Sequence, residues 1–322
     1  MINKDQPLVS VVFTSYNHQE YLKQALDSIV NQTYPNLEVI VVDDNSSDGS
    51  QLILNTYQEN PRVKLHLLTQ NTGSYVKASN YGARLAKGDY LLFAQCDDHA
   101  DPSQIQKLVD AMQSDDRLGV VFSRSTLIDQ HGVVFDDDFR GRETKFRERC
   151  AVDTYLSGKE MRRFLSYSCV IPNLSAALLK KEMYLKVGEL SEKYLVAADW
   201  AFWLSLAEET DFYYLTECLN NFRQHDTTIR SKMKIERQIV EIYSLFYEHI
   251  EKYKLESGDA RYLKVGAGLV WFSFMIENFS AGIKSFLSVL RSTFKIEKLN
   301  LPFLICGAYV FSKDYLGRKT IK

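Results

Sequence analysis

Residues 7–17 read Pro7-Leu8-Val9-Ser10-Val11-Val12-Phe13-Thr14-Ser15-Tyr16-Asn17. A short Val-dominated run that breaks into a polar Thr-Ser-Tyr-Asn string has the pattern of a strand buried on both faces, as in parallel sheets. Working outward, Tyr21, Leu22, Ala25, Leu26 and Ile29 recur on one helical stripe. Leu37 to Val42 repeats the buried-strand pattern, and Asp43-Asp44-Asn45-Ser46-Ser47-Asp48-Gly49 reads as the turn after it. Leu52 to Tyr57 predicts a short helix, Val63 to Leu68 a third strand and Val76 to Leu85 another helix. Tyr90 to Ala94 then gives a fourth strand, ending at Cys96-Asp97-Asp98. This alternation predicts βαβ units and an α/β fold around a parallel sheet.

The pattern changes after a helix over Ile105 to Met112. Leu118 to Phe122 and Ser125 to Asp129 read as two short strands around a turn, and the charged stretch Asp136 to Arg149 as an exposed loop. A helical stripe returns at Trp200, Trp203, Leu204 and Ala207. From about residue 232 the sequence is helical in character, with breaks near Gly258 and Pro302. A division near residue 230 follows, giving domains 1–230 and 231–322.

The chain has 322 residues, of which 45% are hydrophobic and 12% aromatic, which excludes an intrinsically disordered protein. Lys and Arg number 39 against 41 Asp and Glu, so no basic coat for nucleic acid is present. The five cysteines lie far apart with no Cys-x-x-Cys pair, which argues against a disulfide scaffold or zinc cluster and for a reducing, cytoplasmic setting. Charge is divided unevenly: residues 1–230 carry 24 basic against 32 acidic side chains, and residues 231–322 carry 15 against 9. No secretory signal or run of about 18 apolar residues is seen.

In an open parallel sheet, ligands bind beyond the carboxyl ends of the strands. Those ends bring Thr14 and Tyr16, Asp43 and Asp44, and Asp97 and Asp98 to one edge. No Gly-x-Gly-x-x-Gly or Gly-Lys-Ser/Thr phosphate loop is found, so a bound phosphate needs its charge met in another way. Adjacent carboxylates that share Mg²⁺ or Mn²⁺ with the phosphates would do so. Taken singly, each Asp pair reads more readily as turn chemistry or a helix cap than as a metal site; the coincidence at one edge favours a site.

The whole order of motifs resembles family 2 of the inverting glycosyltransferases. The resemblance rests on residues 7–17, Ser28-Ile29-Val30-Asn31-Gln32-Thr33-Tyr34, Val41 to Gly49, Asn71-Thr72-Gly73, Asn80-Tyr81-Gly82, Ala86-Lys87-Gly88-Asp89-Tyr90, and Cys96-Asp97-Asp98 with Pro102. Ala198-Asp199-Trp200 and Phe222-Arg223-Gln224-His225 resemble the acceptor-half motifs. The resemblance covers roughly residues 7–231. It implies a GT-A fold (Rossmann-like, a mostly parallel central sheet with flanking helices, here with a C-terminal helical extension), a nucleotide-sugar donor, with UDP favoured, and Mn²⁺ or Mg²⁺. By the same resemblance Thr14 and Tyr16 lie at the base and ribose, Asp44 accepts from the base, and Lys77 approaches base or phosphate. Asp97, Asp98 and His225 form the metal and diphosphate site, with His225 and Arg223 over the diphosphate on a closing loop. Asp199 is the catalytic base, a residue that also reads as the N-cap of the following helix. Two positions depart from the family: Gln95 stands where relatives carry the first Asp of Asp-x-Asp, and Ser79 where relatives carry Arg. Gln95 hydrogen-bonds but neutralises no charge.

The implied acceptor is a glycan or lipid-linked sugar in surface polysaccharide synthesis. A non-catalytic nucleotide-sugar-binding protein and a nucleotidyltransferase are the alternatives. Arg140, Arg142, Lys145, Arg147 and Arg149 read as a solvated loop, or as a mobile flap over an anionic acceptor. From Arg261 onward 10 basic residues face 3 acidic ones among apolar patches at 269–276 and 301–311. That composition suits peripheral association with an anionic inner leaflet. It suits equally helices packed on the catalytic body or on a second copy in a homo-oligomer.

Overall fold

The computed structural model describes residues 6–226, 233–280, Ile283, Leu287 and 305–309. The opening half follows the expected alternation: β1 (Val9–Ser15), α1 (Gln19–Val30), β2 (Leu37–Asp43), α2 (Ser50–Asn55), β3 (Val63–Leu67), α3 (Tyr75–Leu85) and β4 (Tyr90–Gln95). Every residue of β1 and β2 is buried, which is why their sequences are runs of Val and Ile with no polar alternation. Val9, Val11 and Phe13 face one core with Leu22, Leu26 and Ile29 of α1, while Val12 faces the other. The strand period of two thus loads both faces of the sheet.

The remaining elements are β5 (His99–Ala100), α4 (Gln104–Met112), β6 (Leu118–Ile128), β7 (Val134–Asp137), α5 (Thr144–Arg149), β8 (Thr154–Leu156) and α6 (Gly158–Leu165). They continue with a 3₁₀ turn (Leu174–Ala176), β9 (Ala177–Lys180), α7 (Lys181–Val187), α8 (Ala198–Leu206) and β10 (Asp211–Arg223). Two long helices, α9 (Ile235–Tyr253) and α10 (Ser257–Ser280), follow. The sheet has ten strands in the order β3-β2-β1-β4-β9-β6-β10-β5, with β7 and β8 attached to β6 and β10. The β3-β2-β1-β4 run is parallel, β6 and β10 are parallel, and β9 is antiparallel between β4 and β6.

Three segments depart from the sequence expectation. Residues 118–128 form one strand: Ser123 and Arg124, which read as the turn between two strands, lie within β6, Ser123 and Ser125 are fully buried, and the Ser125 hydroxyl accepts from Asn220 on β10. The charged stretch 136–149 is an ordered hairpin and helix. Phe146 is buried, and Arg142 pairs with Asp138 at 2.7 Å and donates to the Cys169 carbonyl. Arg149 is likewise engaged, with Glu160 and the Tyr155 carbonyl. In the tail, the helix break falls at Lys254, in left-handed conformation, and Gly258 lies inside the first turn of α10.

α9 and the first half of α10 are continuous with the core of the α/β body. Ile242, Phe246, Leu263 and Ala267 belong to the same buried cluster as Trp200, Trp203 and Leu165. Helix α10 comes so close to α6 that a Cβ on Gly266 would lie 1.6 Å from the Ser166 carbonyl oxygen. The apolar patch at 269–276 is mostly covered, although Ile276 is exposed. Of the 301–311 patch only 305–309 lie within the described residues. Among the described residues no helix is long and apolar enough to cross a membrane.

Candidate active site

Register brings the distant motifs together. Thr14 pairs with Gln95 across β1 and β4, so the loop after β1 lies beside the loop after β4. β5 pairs antiparallel with the end of β10, Asn221 opposite His99, and this register carries Arg223 and His225 back over Asp97. Gln95 closes β4 as expected, half-buried, with its N–H on the Ser175 hydroxyl.

Asp97 is the reachable carboxylate of its pair. Its Oδ2 accepts from His225 Nε2 at 3.0 Å, and the His225 side chain is 2% exposed. His18, at the N-cap of α1, completes a group: one ligand atom each from His18, Asp97 and His225 lie within 4.8 Å of one another. The His18 and His225 rings meet edge to face, with centroids 5.5 Å apart, and Tyr21 packs 5.4 Å from His225. Two imidazoles and one carboxylate are a donor set that suits a divalent first-row cation. His18 was not anticipated from the sequence.

Asp98, expected at the metal, turns away from this group. Its Oδ2 accepts from the Asn173 amide and, at 2.9 Å, from the Ser175 hydroxyl, and its Oδ1 from the Arg223 N–H at 3.1 Å. Burial and the Asp97 charge push its carboxyl well above the usual range, against the pull of these donors and of the Arg223 charge. Arg223, expected over the diphosphate, is also turned inward. Its guanidinium donates to the carbonyls of Asp97 (2.9 Å) and Asp129 (3.1 Å) and to Gln24 Oε1 (2.8 Å), and lies 4.5 Å over the Tyr21 ring. Both residues therefore shape the site from behind: every contact given for their charged ends is with the protein.

The residues expected on the nucleotide side line the other loops. Asp43 is consumed by its own turn, accepting from Ser46 N, Ser46 Oγ and Gln51 Nε2. Asp44 is buried and accepts from Thr72 N at 2.7 Å and Thr72 Oγ1 at 2.9 Å, so it anchors the loop before α3. A carboxylate has about four acceptor sites, so capacity for a ligand N–H remains. Asn17, at φ +50, takes a conformation that Asn tolerates, and it stitches the first two loops through Ser46 and Ser47. Thr14 is buried, Tyr16 is 46% exposed, and Lys77 is exposed in the first turn of α3. Ser79 is buried within that helix, away from solvent.

Asp199 is the second residue of α8, half-buried, and the N-cap position is held by Ala197. Its Oδ1 accepts from Trp200 N at 2.8 Å. A helix N-terminus favours the ionised carboxylate at this point. Trp200 and Trp203 are core, with the Trp200 indole donating to the Leu165 carbonyl at 2.7 Å.

Comparison with known proteins bears on the family and the fold. A family model described as Glycosyl transferase family 2 matches residues 10–184. The chain is 26% identical to an uncharacterized glycosyltransferase of Rickettsia typhi over 70% of its residues, spanning 66% of that protein, just under two thirds. It is 27% identical to the Bacillus subtilis protein named "Putative teichuronic acid biosynthesis glycosyltransferase TuaG", covering 70% of this chain and 82% of that one. In fold it is similar to S. aureus TarS 1-349 in complex with UDP-GlcNAc, at TM-score 0.71 and 18% identity over 90% of this chain and 80% of that chain. The Pyrobaculum calidifontis mannosyltransferase PcManGT in complex with GDP-Man and Mn²⁺ matches at TM-score 0.57 and 19% identity, over 95% and 87%.

Proposed function

The chain belongs to glycosyl transferase family 2, and from that premise we propose that it is an inverting, divalent-metal-dependent transferase acting on a UDP-sugar. Its acceptor is a glycan or lipid-linked sugar of a surface polysaccharide. The observation that carries this reading is the meeting of Asp97 and His225, 128 residues apart, at the carboxyl edge of the parallel strands. Relatives named for polysaccharide synthesis and a neighbour that binds UDP-GlcNAc support the donor and pathway class.

Thr14, Tyr16 and Asp44 hold the nucleoside, Asp44 accepting the uracil N–H, and Lys77 meets base or phosphate charge. Asp97 and His225 hold Mn²⁺ or Mg²⁺, which when bound neutralises charge on the leaving diphosphate. Asp199 takes the proton of the acceptor hydroxyl as that oxygen bonds to the anomeric carbon from the face opposite the diphosphate. The sugar–phosphate C–O bond breaks and its electron pair leaves with UDP. Asp98 and Arg223 are positioning residues. Residues 1–230 carry this chemistry; α9 and the first half of α10 brace the acceptor half, and the basic composition from Arg261 onward suits an anionic inner leaflet.

The test is product analysis with a panel of UDP-sugars and Mn²⁺. The reading requires release of UDP, inversion at the anomeric carbon by NMR, and loss of turnover with retained UDP binding in Asp199→Asn. Release of pyrophosphate, or donor binding without turnover for any sugar, contradicts it.

A further inference from the structure

One nitrogen beside the Asp97–His225 pair has no hydrogen-bond partner among the described residues. His18 Nδ1 lies 2.7 Å from the Tyr16 carbonyl oxygen. A carbonyl only accepts, so Nδ1 carries the proton and Nε2 presents a lone pair. That Nε2 is buried and makes no hydrogen bond among the described residues. A buried acceptor with no donor is costly to keep, and it sits on a side chain that cannot easily turn away. His18 caps α1, its carbonyl taking the N–H groups of Tyr21 and Leu22 at 3.1 Å each, and its ring is packed against His225.

We propose that His18 is a third protein ligand of the divalent cation, through Nε2, alongside Asp97 and His225. The inference rests on the functional reading above, in which Asp97 and His225 hold that cation. Three features support it. The ligand atoms of the three residues already lie within 4.8 Å of one another. The tautomer that the Tyr16 carbonyl enforces is the one that leaves Nε2 as donor. The same carbonyl is also the kind of outer partner that orients a metal-binding imidazole.

A set of two imidazoles and one carboxylate differs in kind from a carboxylate that relies on substrate phosphates. Mg²⁺ prefers all-oxygen surroundings and binds mainly through a carboxylate and phosphates, whereas first-row transition-metal ions, Mn²⁺ included, accept imidazole nitrogen more readily. The site therefore prefers Mn²⁺ to Mg²⁺, and it takes Mn²⁺ before the nucleotide-sugar arrives. The basis for the loss of charge at Gln95 is then plain: nitrogen ligands supply the hold on the cation that a second carboxylate supplies elsewhere.

The experiment uses the full chain without nucleotide. Calorimetric titration with MnCl₂ and MgCl₂ is paired with pulsed EPR of the Mn²⁺-loaded protein, which counts coupled imidazole nitrogens. The expected result is Mn²⁺ binding without UDP, at least tenfold tighter than Mg²⁺, with two coupled imidazoles. His18→Phe keeps ring volume, and it is expected to weaken Mn²⁺ binding tenfold or more and leave one coupled imidazole at an unchanged melting temperature. One coupled imidazole in the unsubstituted chain overturns the inference while leaving the transferase reading intact. Absence of any cation binding, with or without UDP, overturns both. The imidazole count in the unsubstituted chain decides the matter even where a variant fails to fold.

Discussion

The backbone N–H of Arg223 donates to the Asp98 carboxylate at 3.1 Å, across 125 residues of chain. Through this contact the end of β10 is fastened to the end of β4. The result is that His225 lies over Asp97 rather than out in solvent. The charge that the sequence displays as a pair, Asp97-Asp98, is thus divided between two tasks, one facing the cleft and one holding the scaffold.

Asp98→Asn is expected to unfold at lower denaturant and to lose Mn²⁺ binding in step. The amide replaces one acceptor oxygen with a donor that faces the Asn173, Ser175 or Arg223 donors. Each buried donor left unmatched costs about 1–3 kcal/mol. Urea midpoints at constant slope measure the loss; an unchanged midpoint would remove Asp98 from the scaffold.

Arg223→Lys keeps the charge and loses the fork. The guanidinium serves acceptors on α1, the β4–β5 connection and the loop after β6 at once, which a lysine ammonium cannot reproduce. Each charge-assisted bond lost costs about 1.5–3 kcal/mol. Thermal melting should fall and Mn²⁺ affinity with it, since Arg223 holds the Asp97 carbonyl. Affinity unchanged at lowered stability would confine Arg223 to the fold.

The first four strands were legible because burial on both faces leaves continuous apolar runs with polar ends. β6 was read as two strands, since Ser123-Arg124 imitates a turn when the strand that pairs with it, β10, is far along the chain. Phe139 and Phe146 in the charged segment were the available sign that it packs. Asp97 and His225, which the structure sets 3.0 Å apart, stood out in the sequence only through motif order. Their division of labour with Asp98 and Arg223 was hidden, because residue type does not say which way a side chain turns. His18 gave no signal in one dimension: a histidine at a helix start gains meaning only from the β1–β4 register that sets it beside Asp97.

Gly82→Ala tests the seat of α3 on the sheet. A Cβ there would lie 2.5 Å from Val12 Cγ1 and 3.2 Å from Val42 Cγ2. Overpacking of this kind costs about 1–3 kcal/mol. Calorimetric melting should show that loss, with Mn²⁺ affinity unchanged because the contact lies in the core beneath α3.

Stability should also fall in mild acid through His249. Its Nε2 donates to Glu208 at 2.8 Å in a buried position that Arg162 shares. Burial pushes the imidazole below its ordinary value despite the Glu208 contact. The folded chain therefore takes up the proton less readily than the unfolded one, whose histidine titrates near about 6.5. The stabilisation is present above about pH 6.5 and is lost as pH falls from there toward the folded-state value. Melting temperatures from pH 8 to 5 should show this slope reduced in His249→Gln; identical slopes would rule the group out.

The most direct measurement of the central claim is calorimetric binding of UDP with and without Mn²⁺, in the unsubstituted chain and in Asp97→Ala. A cation that Asp97 and His225 would hold, and that would neutralise charge on the diphosphate, predicts that Mn²⁺ tightens UDP binding in the first and does so far less in the second. Equal UDP affinity with and without Mn²⁺ in the unsubstituted chain would contradict it.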